Sequence, residues 1–458
     1  VRNNNLFEIY KLIKIAFCVF LYTAQASGQS VPKTDLPVIQ PTLPTLISPS
    51  MDNFIIPTSN YSTSSGNTYQ QQQNKRIMNE VDQHEKLRQE TLYSVKSDID
   101  ELRSEIHYDL PSKSNIEGTA AYKILFDKML TLDVNNFSVK GVNFDIENAY
   151  FNNKADKSQF DQIIHHTGEF LTAKMKELKY DQNSNSAKNY ILFQFFSEEM
   201  KLGKQTHLPF KYDFEDYMGV KDFSKIFVSK LISTGSGQCH SLPLLYLILA
   251  EEIGAEAYLS LSPNHSYIRF PDDRGKWYNI ELTNGMFSTE SYISQSGYIK
   301  SEALQNKIYM ENLSKKELLS KHFSDLAEGY IHKFGYDEFA QSVIDKALEL
   351  YPNSISANMI NANLATVRVK YVVQQLGINI SDAKERERIL NYPKAVELLK
   401  EMQKQYAVID NLGYENMPPE EYQKWLQSMK GEKQREENKA IEKQFKGAII
   451  KSTKQLKN

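Results

Sequence analysis

The sequence predicts an α+β fold: a buried helix feeding a short antiparallel sheet, with helical regions on either side. Three observations carry this. Ser241–Ile253 is apolar on nearly every side, as a helix enclosed by protein must be. The period then changes from helical to extended over 255–262, 265–270 and 277–282, with breaks at Pro263-Asn264 and over 271–276. Upstream and downstream, apolar residues step by threes and fours, the period of a helix face.

The chain of 458 residues is long enough for two or three domains, each with its own core. Residues 1–28 read as a secretory signal. Arg2, Lys11 and Lys14 precede or flank an apolar stretch at 13–22, which ends in Thr-Ala-Gln-Ala-Ser-Gly. That stretch falls short of the about 20 apolar residues a bilayer requires, so no transmembrane segment is expected after its removal. Cys18 follows bulky Phe17 inside a continuing apolar run, which argues against a lipid anchor. A secreted or periplasmic location is therefore expected. Losing Arg2, Lys11 and Lys14 against Glu8 takes the formal charge from −3 to −5. A mildly acidic chain without a basic patch argues against nucleic acid as a partner.

Residues 29–75 carry prolines at 32, 37, 41, 44, 49 and 57, then a Ser/Thr/Asn stretch and a glutamine run, the composition of a disordered spacer. The region 76–204 reads as mostly helical, with a charged, solvated helix to about residue 106 and helices at 122–130, 159–178 and 188–200. A central core is expected over 205–311. It opens with an aromatic and acidic loop at 210–219 and a helix at 223–231, and Ser233-Thr-Gly-Ser-Gly237 supplies turn residues. In the region 312–429, Gly335, Ala340, Ala347 and Pro352 match the spacing of a tetratricopeptide unit; 396–409 and 420–429 are its continuation. Residues 430–458 form a charged tail.

With the signal set aside, Cys239 is the remaining cysteine. Lone cysteines usually serve packing. This one stands at the start of the apolar helix, where unpaired backbone N–H groups and the helix dipole favour a thiolate. His265, opening a strand after Pro263-Asn264, is the candidate base. On the next strand Trp277, Asn279 and Glu281 share a face, and either Asn279 or Glu281 can orient the imidazole. The backbone N–H of Cys239 and the side chain of Gln238 are candidate donors to an oxyanion. His240, Trp277 and Tyr217 are expected to line a cleft, with Tyr212, Asp213 and Asp216 near it. His165-His166 has no cysteine or acid at metal-ligand spacing, so no metal site is expected.

Gly237-Gln238-Cys239 before an apolar helix, then a strand-borne histidine and an acid on an aromatic-led strand, resembles the transglutaminase-like branch of the papain-like cysteine protease superfamily. In that family the acid lies about sixteen residues past the histidine and four past an aromatic, as Glu281 does from His265 and Trp277. The family usually has aspartate at Glu281 and often an aromatic at His240. The resemblance covers roughly residues 205–290. It implies a papain-like core with a Cys239–His265–Glu281 triad and acyl transfer at a peptide or side-chain amide, without metal or cofactor. A protein or peptide is the implied substrate, and hydrolysis is favoured over transamidation. The tetratricopeptide-like region beside such a core is similar to bacterial transglutaminase-like proteins and implies a protein partner for the repeats. The competing expectation is a catalytically silent scaffold that binds an envelope protein.

Overall fold

The computed structural model of the protein describes residues 68–103, 106–219, 221–294, 297–379, 382–432 and 436–455. The expected signal at 1–28, the spacer to residue 67 and parts of the charged tail lie outside them. The described chain is mixed α+β and divides into two compact units. One falls within Leu36–Leu110 and Ala365–Lys404, the other within Pro111–Leu364 and Gln405–Asn458.

In the first unit, helix α1 (Thr68–Arg103) starts inside the segment expected as spacer. Its apolar residues Ile77, Val81, Leu87, Leu92 and Val95 are exposed. Beyond it, His107 exchanges two hydrogen bonds with the Gln375 amide, at 3.0 and 2.6 Å, and Lys394 lies over the Tyr108 ring.

The second unit holds the core. Its helices are α2 (Thr119–Leu130), α3 (Val139–Tyr150), α4 (Lys157–Leu178), α5 (Asn185–Ser197), α6 (Val228–Thr234) and α7 (Ser241–Ile253). Later come α8 (Lys315–Phe334), α9 (Glu338–Leu350), α10 (Ile355–Gln375), α11 (Pro393–Leu412), α12 (Pro419–Glu432) and α13 (Glu436–Gln455), of which α10 and α11 run on through the division between units. Every residue of α7 from Ser241 to Ala250 is buried, and α3, α4, α5 and α6 all touch it. Pro243 sits in its first turn, where no amide hydrogen is needed, and Gly254 ends it at φ +66°, a left-handed conformation that glycine adopts without strain.

The helix expected over 223–231 is broken. A 3₁₀ turn covers Phe223–Ile226, Phe227 is extended, and α6 begins at Val228. Phe227 has no side chain able to cap α6. The buried carboxylate of Glu147 on α3 does so instead, accepting from Val228 N at 2.7 Å and Ser229 N at 3.0 Å. Burial pushes this carboxyl up despite those bonds.

The sheet is a four-stranded antiparallel meander of β5 (Tyr258–Ser262), β6 (His265–Pro271), β7 (Trp277–Glu281) and β8 (Met286–Ser288). Ahead of it, β1 (Met200–Leu202) and β2 (Gln205–His207) form a hairpin, and β3 (Lys211–Tyr212) pairs in parallel with β4 (Ser236–Gly237). The β3–β4 pair is short but sets Tyr212 beside Gly237, two residues before the cysteine. Side chains from α13 close the sheet's inner face: Phe445 packs among Phe270, Tyr278 and Phe287.

The helices α8 and α9 pack against each other through fully buried Ala340 and Ala347, joined by a turn in which Gly335 has φ +83°. Tyr330 donates to Asp337 at 2.7 Å, and Ser320 to the Ala347 carbonyl at 2.7 Å. Among the described residues no helix is long and apolar enough to cross a membrane.

Candidate active site

Cys239 lies in the turn between β4 and α7. The approach to it is tight. A Cβ on Gly237 would stand 2.6 Å from Ser241 Oγ and 3.0 Å from a Leu231 methyl, so only glycine fits. Gln238 then folds back over the helix start. Its Oε1 accepts from His240 N and Ser241 N, both at 3.1 Å, and Ser241 Oγ accepts from Gln238 N at 3.2 Å. This reciprocal cap uses the first amides of α7 and holds the turn rigid. The N–H of Cys239 has no acceptor among the described residues. Ser266 Oγ donates to the Cys239 carbonyl, tying the turn to β6.

His265 opens β6, and Glu281 closes β7. Imidazole Nε2 donates to Glu281 Oε2 at 2.7 Å, and both side chains are enclosed, 0% and 3% exposed. The second carboxylate oxygen accepts from Thr283 N at 2.8 Å, which fixes the plane of the carboxylate. The other ring nitrogen, Nδ1, turns toward the thiol. Burial works to lower the His265 pKa, but the Glu281 charge and the bonds to Cys239 and Glu281 outweigh it and raise it to about 10. Burial likewise works to raise the thiol, and His265, then Tyr422, more than offset it and lower Cys239 below the usual thiol range. Glu281 is lowered by His265 and the Thr283 bonds against its own burial. The arrangement favours a thiolate–imidazolium pair backed by a carboxylate.

The remaining residues singled out in the sequence divide sharply. Tyr217 stands at the site, its ring 5.3 Å from Tyr422. Asn279 does not reach the imidazole. It is paired with Arg269 across β6–β7, accepts from Arg269 Nε at 3.1 Å, and donates to the Ser288 carbonyl. Alternation placed Asn279 and Glu281 on one face; the register gives the histidine to Glu281 alone. Trp277 is not in a cleft with the triad. It lies opposite Pro271 at the far end of β7, 40% exposed, against Tyr258 and under the Arg269 guanidinium.

His240 is turned away as well. A residue at the next position of a helix start points about 100° from its neighbour. Its Nδ1 meets the Ile226 carbonyl at 3.1 Å and its Nε2 meets Asp325 on α8 at 3.1 Å. Gln238 spends its oxygen on the helix cap, while its Nε2 is buried with no partner among the described residues. His165 pairs with Glu252 at 3.0 Å and Glu169 at 3.6 Å on the surface. Among the described residues no group of three or more His, Cys, Asp or Glu is placed to hold a metal ion.

The site also contains residues that the sequence reading left unassigned. Tyr422 of α12 donates to the Cys239 sulfur at 3.5 Å, and its oxygen lies 3.4 Å from His265 Nδ1. Trp425, one turn on, meets the imidazole edge to face at 4.9 Å, and Tyr292 stacks on Trp425. Tyr212, expected near the cleft, has its hydroxyl buried beside the Cys239 sulfur; burial, then that sulfur, pushes it well above the usual phenol range. The spacing of Tyr422, Trp425, Leu426 and Met429 signals a helix with one buried face. It carries no sign of which surface that face covers.

No protein-family model matches the chain, and no curated protein matches it. Among solved structures it has a likeness to a crystal structure of menin, described with its binding site for Mixed Lineage Leukemia (MLL) protein. The two are 11% identical, over 72% of this chain and 90% of menin, with a TM-score of 0.28. At that score the likeness carries no inference about fold or function.

Proposed function

We propose that the protein is a cysteine-nucleophile acyl-transfer enzyme acting on peptide or side-chain amides, built on a transglutaminase-like core of the papain-like superfamily. The observation that carries this is the enclosed 2.7 Å His265–Glu281 pair whose second ring nitrogen meets the Tyr422 hydroxyl beside the thiol of Cys239. In the thiolate form Nδ1 holds the proton. Sulfur attacks the amide carbonyl carbon, and the oxyanion that forms is met by the free N–H of Cys239 at the head of α7. Gln238 Nε2, a buried donor without a partner among the described residues, and the buried Tyr212 hydroxyl beside Cys239 are the candidates for the second bond. Nδ1 then passes its proton to the leaving nitrogen as the C–N bond breaks, leaving a thioester. Water gives a proton to Nδ1 as it attacks the thioester, and the C–S bond breaks to restore the thiolate. Glu281 stays ionised and holds the ring in place throughout. Hydrolysis is the favoured outcome; an amine in place of water gives transamidation.

The wider reading keeps the remaining expectations: an exported protein whose tetratricopeptide-like helices engage a protein partner. A second reading, a catalytically silent scaffold, draws support from Tyr422, which lies against the sulfur. The rate of Cys239 alkylation against pH tests the first reading. A midpoint well below the unperturbed value of about 8.5, rising in His265→Ala, is expected. A midpoint near 8.5 that His265→Ala leaves unmoved would falsify it. Screening peptide and glutamine-amide substrates against a Cys239→Ala control then separates hydrolysis, deamidation and transamidation.

A further inference from the structure

Helix α12 lies directly over the catalytic residues. Its buried face is Tyr422, Leu426 and Met429, all at most 1% exposed, with half-buried Trp425 between them, while Gln423, Lys424, Gln427 and Ser428 face outward. An acyl carbon must come within about 3–3.5 Å of the attacking sulfur, with its leaving nitrogen beside the proton donor. The Tyr422 hydroxyl fills that place, 3.5 Å from Sγ and 3.4 Å from Nδ1. Trp425 covers the imidazole, and Tyr217 flanks Tyr422. While this helix is seated, the approach between the sulfur and the imidazole is occupied.

The helix is held at both ends by the turns that carry the base and the acid. Asn264, the residue before His265, donates to the Met417 carbonyl at 3.2 Å. Asn284, three residues past Glu281, donates to the Met429 carbonyl at 2.6 Å. The contact between them is unfinished, however. Trp425 Nε1 on the helix and Gln238 Nε2 in the site are buried donors without partners among the described residues. A site shaped for a carbonyl-rich ligand needs donors of this kind.

We propose that α12 is an intrasteric closure of the acyl-transfer site. Tyr422 and Trp425 hold the space that an amide substrate enters, and turnover requires the helix to leave. This rests on the acyl-transfer reading of the same site, and it gives that site a shut resting state.

The test uses the full chain and iodoacetamide at one pH. Trp425→Ala and Asn284→Ala, the second remote from the reacting atoms, are expected to raise the alkylation rate of Cys239 at least tenfold. In the unaltered chain, the amides of residues 420–429 are expected to exchange with deuterium before those of α7, a measurement that needs no variant to fold. Unchanged alkylation in both variants, or α12 amides as protected as those of α7, overturns the closure. Fast alkylation of the variants without turnover of any amide substrate keeps the closure and rejects acyl transfer. Turnover by the unaltered chain at the variants' rate does the reverse.

Discussion

Two histidines flank the start of α7, each bonded to a buried carboxylate, yet they are chemically opposite. His265 meets Glu281 at 2.7 Å, and its second nitrogen meets the Tyr422 hydroxyl at 3.4 Å, beside the thiol. His240 meets Asp325 at 3.1 Å and commits its second nitrogen to the Ile226 carbonyl. Both ring positions of His240 are occupied by fixed partners, so it has no site for a proton from sulfur. Lys321 adds a further ion pair to Asp325, and with His240 it holds that carboxyl far below the usual range despite burial. His322 beside it is lowered to about 4 by burial. One pair is poised, the other is a clamp between α7 and α8. A carboxylate–imidazole pair is thus poor evidence of catalysis until the other ring nitrogen is accounted for.

The largest effect should come from breaking the poised pair. His265→Ala is expected to reduce amide turnover by about 10²–10⁴-fold, measured as kcat/KM with the best substrate found. Glu281→Gln keeps the shape and removes the charge. Turnover should fall roughly 10²-fold, and the alkylation midpoint of Cys239 should rise.

The same substitution sharpens the comparison through pH. The folded pKa of His265 is raised, so its contribution to stability is complete below the unfolded value of about 6.5 and is lost as pH rises toward about 10. That of Glu281 is lowered, so its contribution is present above the unfolded carboxylate value of about 4.3 and is lost as pH falls through the lowered one. In urea titrations the gap between the unaltered chain and Glu281→Gln should be widest near pH 5–6 and should narrow toward pH 10.

Asp325→Asn tests the clamp. It removes the carboxylate that pairs with both Lys321 and His240 and should cost about 3 kcal/mol of unfolding free energy, with the alkylation midpoint of Cys239 moving less than in Glu281→Gln. A midpoint shift as large as that of Glu281→Gln would erase the distinction between the two histidines. The smallest effect on the site is expected from Asn279→Ala, which loses a bond to the charged Arg269 worth about 1.5–3 kcal/mol and should leave the pH profile of alkylation where it was.

Much of the site was legible because it is local in sequence. The apolar run of α7, the glycine before Gln238 and the alternation of β6 and β7 place Cys239, His265 and Glu281 within 42 positions of one another. Alternation could not choose between Asn279 and Glu281, since residues two apart on a strand share a face. The choice came from the register, Arg269 opposite Asn279. Trp277 was read as cleft-lining from its spacing to the acid; the length of β7 carries it to the other end of the hairpin.

The sequence by itself determined the mixed α+β class, the helix that presents the thiol and the strands that carry His265 and Glu281, because periodicity encodes which side of an element is buried. Tertiary structure alone decided what covers what. Tyr422 is 183 positions from Cys239 and 157 from His265, and the pattern of α12 states that one face is apolar without naming its partner. The destination of His240 rests in the same way on α8, 85 positions away. Burial is written locally along a chain, but the identity of a contact across it is set by packing.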